Sequence, residues 1–484
     1  MGVRTLWNRL KLFVLMEGLC FLIGTSPCMG AQMQADTSGK LVFWSSLRFR
    51  YEMQDNFNIK SYGARPIAGK QDDSFLIGRL RLGFSYQPLE DVLVSIGMQQ
   101  SMVWDLALDK SDFYNTKFDR ENNPYEDKWE PFNTYIQLSN ILSQPFSVKA
   151  GRQLIYYGDN RIFGPGQWGN TGRWIWDAVK ASYKSSWGFG DVYYGRTIIH
   201  DPDVISITHR HGFESLGFYG HVDIPTGSLQ LGLEPFAMTK KDNHERYKGE
   251  DGVYGDFDTY YLGARIFFKN FRGVDFDLTY IKQQGDYGSD DVDAYGYHLL
   301  LGYHFNHLPF CPFLSAEYSY GSGDSDPRDR KHETFDAAFG ARDKMYGRMN
   351  LFQWKNIRDA QVNLEATPRK GIHIKAEYHK FWLAEKRDGW YLNPKVYRDE
   401  TGHSGDEVGS EFDLVLKVNL PEGNEIQAGY SHFWPDRFAK RLASDKQANW
   451  VFIQWRIKLT DTSKPLNSTL KALVFGLERG PALL

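Results

Sequence analysis

An all-β fold, a membrane-spanning antiparallel β-barrel of about 18 strands, is what this sequence predicts, and three observations predict it. Apolar and polar residues alternate with period two along segment after segment. The connections between those segments alternate between short turns and mostly long polar loops. Aromatic residues make up 15% of the 484 residues, yet the mean hydropathy is polar. A barrel reconciles these facts, because lipid-facing side chains take turns with lumen-facing ones and no continuous apolar run is needed. Past the N-terminus, no apolar run approaches the roughly 20 residues of a spanning helix.

The N-terminus reads as an export signal. Arg4, Arg9 and Lys11 form a basic head and Leu12 to Ile23 an apolar stretch interrupted by Glu17; Gly30 and Ala31 supply small residues for cleavage. Residues 1–30 are therefore expected to be a signal peptide, 31–460 the barrel and 461–484 a C-terminal tail. Cys20 and Cys28 fall inside the signal without a lipobox, which leaves Cys311 alone in the mature chain. No internal disulfide and no cysteine metal site can then form. A net charge of −3 gives no global case for nucleic acid. Export and a barrel together place the chain in the outer membrane of a Gram-negative bacterium, in contact with its lipid, and a monomer is expected.

The strands are clearest at the start. Phe43, Leu47, Phe49, Tyr51 and Met53 share one face, while Ser46, Arg48, Arg50 and Glu52 share the other. Leu80, Leu82, Phe84 and Tyr86 alternate with Arg79, Arg81, Ser85 and Gln87; Val92, Val94, Ile96 and Met98 alternate with Ser95, Gly97 and Gln99. Such alternation marks strands with one face buried. Short turns follow at Pro88–Asp91, Asn140–Pro145, Lys184–Gly188, Ile224–Gly227, Lys269–Gly273, Asn306–Pro309, Pro368–Gly371 and Pro421–Asn424. The longest loop runs from about 324 to 355. In the last clear strand, Val451, Ile453, Trp455, Ile457 and Leu459 point outward. No separate domain or linker is evident, and Leu470 to Leu477 in the tail could form a short apolar helix.

With the apolar face toward lipid, the opposite face lines the lumen. Its cations are Arg48, Arg50, Arg79, Arg81, Lys180, Arg265, Lys375, Arg456 and Lys458; its acids include Glu317, Asp359, Glu365, Glu377, Glu411 and Asp413. The arginines gather on the first two strands and the last, which become neighbours on closure, so one basic stripe is expected on the wall. Such a stripe can brace the barrel through Arg–Glu ladders, or it can concentrate anions in the pore while also bracing it. The second reading is preferred here. It rests on parities that a bulge would invert.

Residues 151–177, GRQLIYYGDNRIFGPGQWGNTGRWIWD, resemble the alginate export family of outer-membrane barrels. Gly151, Arg152, Gln153, Tyr157, Gly158, Asp159, Arg161, Gly164, Pro165, Trp168, Asn170, Thr171, Gly172, Arg173 and Asp177 fit a stretch of that family. Gly321–Gly340, Trp354–Pro368 and Val408–Leu416 look like later family segments in the right order. The resemblance implies an 18-stranded barrel with a basic lumen that conducts an anionic polysaccharide outward. It also makes 155–173 an extracellular loop, the third by turn count, able to fold inward as a constriction. Arg161 and Arg173 could then face the pore, with Asp159 and Asp177 as acidic partners. Arg152 shares a face with Val148 and Ala150 and is carried as a pore residue of ambiguous parity. The GRQ and YGD residues could equally anchor the loop to the wall. A periplasmic secretion scaffold is a further partner the resemblance suggests. Unlike many outer-membrane barrels, this chain continues past its last strand instead of ending on a terminal aromatic.

Other chemistry finds little support. No Gly-x-Ser-x-Gly elbow fixes a nucleophile beside a base, so an enzyme is not expected. His209 and His211 read as solvated loop histidines, and Asp324, Asp326 and Asp329 lack the spacing of a calcium loop. No metal or cofactor is expected. The passenger is expected to be an anionic exopolysaccharide, the alternative being a general porin for small anionic solutes.

Overall fold

The computed structural model describes residues 40–58, 62, 71–116, 120–121, 123–207, 211–342, 344–392 and 395–461. The expected signal peptide, the tail helix at Leu470–Leu477, His209 and the side chain of Leu459 lie outside them.

Eighteen antiparallel strands close on themselves. They are β1 (Lys40–Asp55), β2 (Asp73–Leu89), β3 (Val92–Trp104), β4 in two pieces (Asp127–Pro131 and Thr134–Leu138), β5 (Phe146–Gln153) and β6 (Trp176–Ser185). Next come β7 (Gly188–Ile198), β8 (His211–Thr226), β9 (Leu229–Lys248), β10 (Tyr254–Phe271), β11 (Val274–Tyr287) and β12 (Asp290–His304). The last are β13 (Phe313–Gly321), β14 (Ile357–Arg369), β15 (Ile372–Trp382), β16 (Glu407–Asn419), β17 (Glu425–Pro435) and β18 (Ala448–Asp461). Each pairs with its sequence neighbour, and β18 returns to β1 in a register running from Phe43↔Asp461 to Asp55↔Asn449. Closure leaves no edge strand, as a wall without water on its lipid side requires.

The predicted turns all fall between strands at one end, and the loops gather at the other. Two of those loops are short, however: residues 249–253 and the Gly288–Ser289 turn. The parity of the first strands also holds. Arg48, Arg50, Glu52 and Gln54 are buried inside, whereas Phe43, Met53 and Leu82 are exposed on the outer face.

The lumen is filled at the long-loop end. Residues 154–175, between β5 and β6, and residues 322–356, between β13 and β14, fold inward and bring an aromatic core with them. Phe163, Phe335 and Phe339 are fully buried there with Trp174, Tyr346, Phe352 and Trp354. Tyr157 stacks on Tyr219 of β8 at 4.2 Å, and Phe352 stacks on Phe381 of β15 at 3.7 Å. A six-residue helix, α1 (Arg437–Leu442), adds Phe438 and Ala439 to this core. Apolar side chains fill the mouth because the inward loops hide their aromatic faces from water on each other and on the wall.

Candidate functional site in the lumen

The arginines of β1 and β2 do form one cluster, but they are covered. Arg48 donates to the carbonyls of Gln167 (2.9 Å), Trp168 (3.2 Å) and Gly169 (3.1 Å) and to Oδ1 of Asn170 (3.0 Å). Arg79 donates to the same Gln167 and Gly169 carbonyls. Arg50 reaches the Trp168 carbonyl at 2.8 Å, pairs with Glu52 at 2.7 Å and lies 4.1 Å over the Trp168 ring. Arg48, Arg50 and Arg79 are each at most 6% exposed. The expected open ladder of guanidinium groups is therefore a clamp. Its physical reason is that segment 167–170 turns its carbonyls outward and finds its donors on the wall.

Asn170 completes the clamp. Its amide donates to the carbonyls of Gly78 (2.9 Å), Met102 (3.0 Å) and Tyr125 (2.7 Å). From β3, Gln99 donates to the Thr171 carbonyl and Ser101 to that of Asn170. Arg81 bonds Gln99 at 2.7 Å and stacks on Phe132. On β18, Arg456 stands directly opposite Arg48 and pairs with Glu425, which also takes Lys417; Lys458 stands opposite Ser46.

The other predicted residues separate into local pairs. Arg161 holds Asp159 at 3.1 Å, approaches Glu317 at 3.7 Å and reaches Ser319 on β13. Arg265 joins Asp277 and Glu234, Lys180 joins Asp191, and Lys375 bridges Glu365 and Glu377. Arg173 stacks on Trp174. Arg152 is opposite Asp177, on the parity of outward-facing Val179, and is held by Asp177, Glu130 and the Ser206 carbonyl. It stands apart from the lumen cluster. His211 pairs with that same Asp177.

The acids gather on the wall opposite in sequence, β13 to β16. Glu377, Glu411 and Asp413 are buried beside Asp359 and His379. This acidic wall is the socket for the longer inward loop. Arg348 pairs with Glu377, and the Met349 amide donates to Glu411 at 2.8 Å. Farther along the same loop, Lys240 of β9 binds Asp336 at 2.5 Å. Burial raises the Asp336 carboxyl, but Lys240, Lys355 and Arg173 hold it down to about 2.

The two inward loops are one object. Gly164 donates to Phe339, Phe339 to Ile162 and Ala341 to Asn160, a backbone ladder with Phe163 and Phe339 bridged in parallel. Where the joined loops meet the wall, a narrow crevice is lined by Trp168, Lys344, Arg348 and Trp450. Lys344 and Arg348 were not among the expected pore residues; no periodicity marks a cation inside a long loop.

At the start of the longer inward loop, the Asp324 carboxyl stands close to those of Glu250 and Asp388. Burial and the Glu250 carboxyl push Asp324 up to about 8. Among the described residues, no group of three or more His, Cys, Asp or Glu has metal-holding geometry, and Asp324, Asp326 and Asp329 form no such group.

Several solved structures share this fold. OccD3 (OpdP) of Pseudomonas aeruginosa matches with a TM-score of 0.53 at 11% identity, over 87% of this chain and 91% of that one. OccK9 (OpdG) of the same organism gives 0.55 at 10%, over 87% and 99%, and OccAB3 of Acinetobacter baumannii 0.54 at 12%, over 87% and 100%. Identities this low show the fold alone. No curated protein sequence matches the chain at a significant level. The family model for alginate export matches residues 40–452, which take in β1 to β17, the start of β18 and both inward loops. The chain belongs to the alginate export family and is an outer-membrane β-barrel.

Proposed function

We propose that this barrel is a channel, not an enzyme, through which an acidic exopolysaccharide of the alginate kind passes outward across the outer membrane. One observation carries the reading. Arg48, Arg79 and Arg81 give their hydrogen bonds to neutral carbonyls and a glutamine amide, so those bonds leave the positive charge of this wall in place. Arg456 and Lys458 extend the same wall across the seam. In a narrow, low-dielectric passage, a wall of one sign raises the local concentration of the opposite ion. A carboxylated sugar chain is such an ion repeated along its length. A cleaved signal at residues 1–30, a monomeric barrel and a periplasmic scaffold that delivers the polymer belong to the same proposal.

A second reading, a porin for small anions, is favoured by the filled mouth. Where the joined loops meet the wall, the crevice between Trp168, Lys344, Arg348 and Trp450 is narrow. Planar-bilayer conductance of the refolded mature chain separates the two. Anion selectivity with block by added alginate or polyglucuronate oligomers supports export. An anion-selective current that ignores the oligomers supports the small-anion porin, and a current without anion preference overturns both.

A further inference from the structure

On the outer wall, away from the lumen, five tyrosines of β11, β12 and β13 touch one another. Tyr280 meets Tyr295 at 6.4 Å and Tyr295 meets Tyr320 at 5.4 Å; Tyr297 stacks on Tyr320 at 5.1 Å and lies 6.1 Å from Tyr318. Their positions in register explain the contact. Tyr280 is opposite Tyr297, Tyr297 opposite Tyr320, and Tyr320 opposite Arg358 of β14. The next residues outward along that row are Arg358 and then Trp382 of β15. Lys282 lies 5.7 Å from the centre of the Tyr295 ring and pairs with Asp293. Arg358 pairs with Asp406, and a third of its side chain is open to the surroundings. Below the tyrosines toward the short-turn end, the same strands turn to Leu278, Leu299, Leu301, Leu314, Val362 and Leu364, all exposed on the outer face.

We propose that this platform is a binding site for the phosphorylated glycolipid of the outer leaflet. The leucine and valine side chains below it suit acyl chains, and the joined ring faces suit sugar rings that stack on aromatics. Lys282 and Arg358 suit headgroup phosphates. The carboxylates beside them, Asp293 and Asp406, suit the divalent cations that such phosphates carry. Girdles of aromatic residues flank the apolar band of outer-membrane barrels at both interfaces. Here the rings form one surface with cations at its margin, which points to a particular headgroup.

The test uses the full mature chain purified in mild detergent, delipidated, and incubated with purified lipopolysaccharide or with phosphatidylglycerol. Bound lipid per folded barrel is read by native mass spectrometry. The wild type should retain lipopolysaccharide in preference to phosphatidylglycerol. The double substitution Lys282→Gln with Arg358→Gln should lower retention of lipopolysaccharide about thirtyfold, the weight of two interfacial cations. Tyr297→Leu with Tyr320→Leu should lower it as well, with the folded, heat-modifiable band and the ion conductance unchanged. Equal retention by the wild type and both folded variants would overturn the site. So would equal retention of the two lipids by the wild type, which would mark a general interfacial belt.

Discussion

Arg48 of the first strand and Arg456 of the last stand directly opposite each other across the seam that closes the barrel. Like charges opposed on neighbouring strands ordinarily destabilise a sheet. Here each guanidinium turns to a different partner, Arg48 to the carbonyls of 167–169 and Arg456 to Glu425. The seam thus carries Arg48, whose hydrogen bonds hold the inward loop, beside Arg456, whose partner is a carboxylate of the wall.

Replacing Arg48 and Arg79 together by glutamate should lower the anion-to-cation permeability ratio by about tenfold, the low end of what a charged cleft adds to local ion concentration. Reversal potentials in a salt gradient measure it. An unchanged ratio in the folded variant would leave the stripe as a brace and nothing more.

Asn170→Ala removes the amide that reaches three wall and loop carbonyls and the oxygen that receives Arg48. Leaving those buried groups without partners should cost about 2 kcal/mol of stability. Urea-dependent unfolding in detergent, followed by tryptophan emission, reads the loss. Asn170→Asp should cost more, because it sets a carboxylate oxygen against the carbonyl oxygens of Gly78, Met102 and Tyr125.

Gly340 lies where the two loops join: a Cβ there would come within 1.9 Å of the Arg161 carbonyl oxygen. Gly340→Val should force the ladder apart while the barrel, whose strand pairs it does not touch, stays folded. Single-channel conductance should rise and the Phe339 segment should become open to protease. A variant with wild-type conductance and protection would show that the loops do not act as one plug.

Asp324 gives a pH dependence. Its carboxyl is ordinary in the unfolded chain, near 3.8, and burial beside the Glu250 carboxyl holds it up to about 8 when folded. Between those values the folded loop binds more protons than the unfolded one, so local stability is full at low pH and is lost as pH rises toward 8. The protection factors of residues 322–334, exchange rates divided into the intrinsic rate at each pH, should therefore be lower at alkaline pH than at mildly acidic pH. Asp324→Asn should flatten the dependence.

The strands and turns were legible because a sheet wetted on one side and lipidated on the other writes its parity into successive residues, as Arg48, Arg50 and Glu52 against Phe49, Tyr51 and Met53 show. What each charge holds was not. Arg48 meets Asn170 across 122 positions and Arg79 meets Gln167 across 88, contacts that no local pattern encodes. The glycine-rich stretch 158–172 did point to a loop able to fold inward, since tight backbone paths near φ of +55° at Gly158 and +90° at Gly172 are open to glycine. Arg152 was harder. Its parity was ambiguous, since it shared a face with Val148 and Ala150, and its pairing with Asp177 follows from the β5–β6 register.

The joined loops also bear on the order in which this molecule can be assembled. The clamp on segment 167–170 draws donors from β1, β2 and β3, while Trp168 rests on Trp450 and Phe452 of β18. No nascent hairpin contains both halves of that nest. Seating the loop must therefore accompany the meeting of the first and last strands, a step of high contact order. A chain caught before that step would carry an unsatisfied basic wall and an unburied tryptophan, two features by which assembly machinery could tell an unfinished barrel from a closed one.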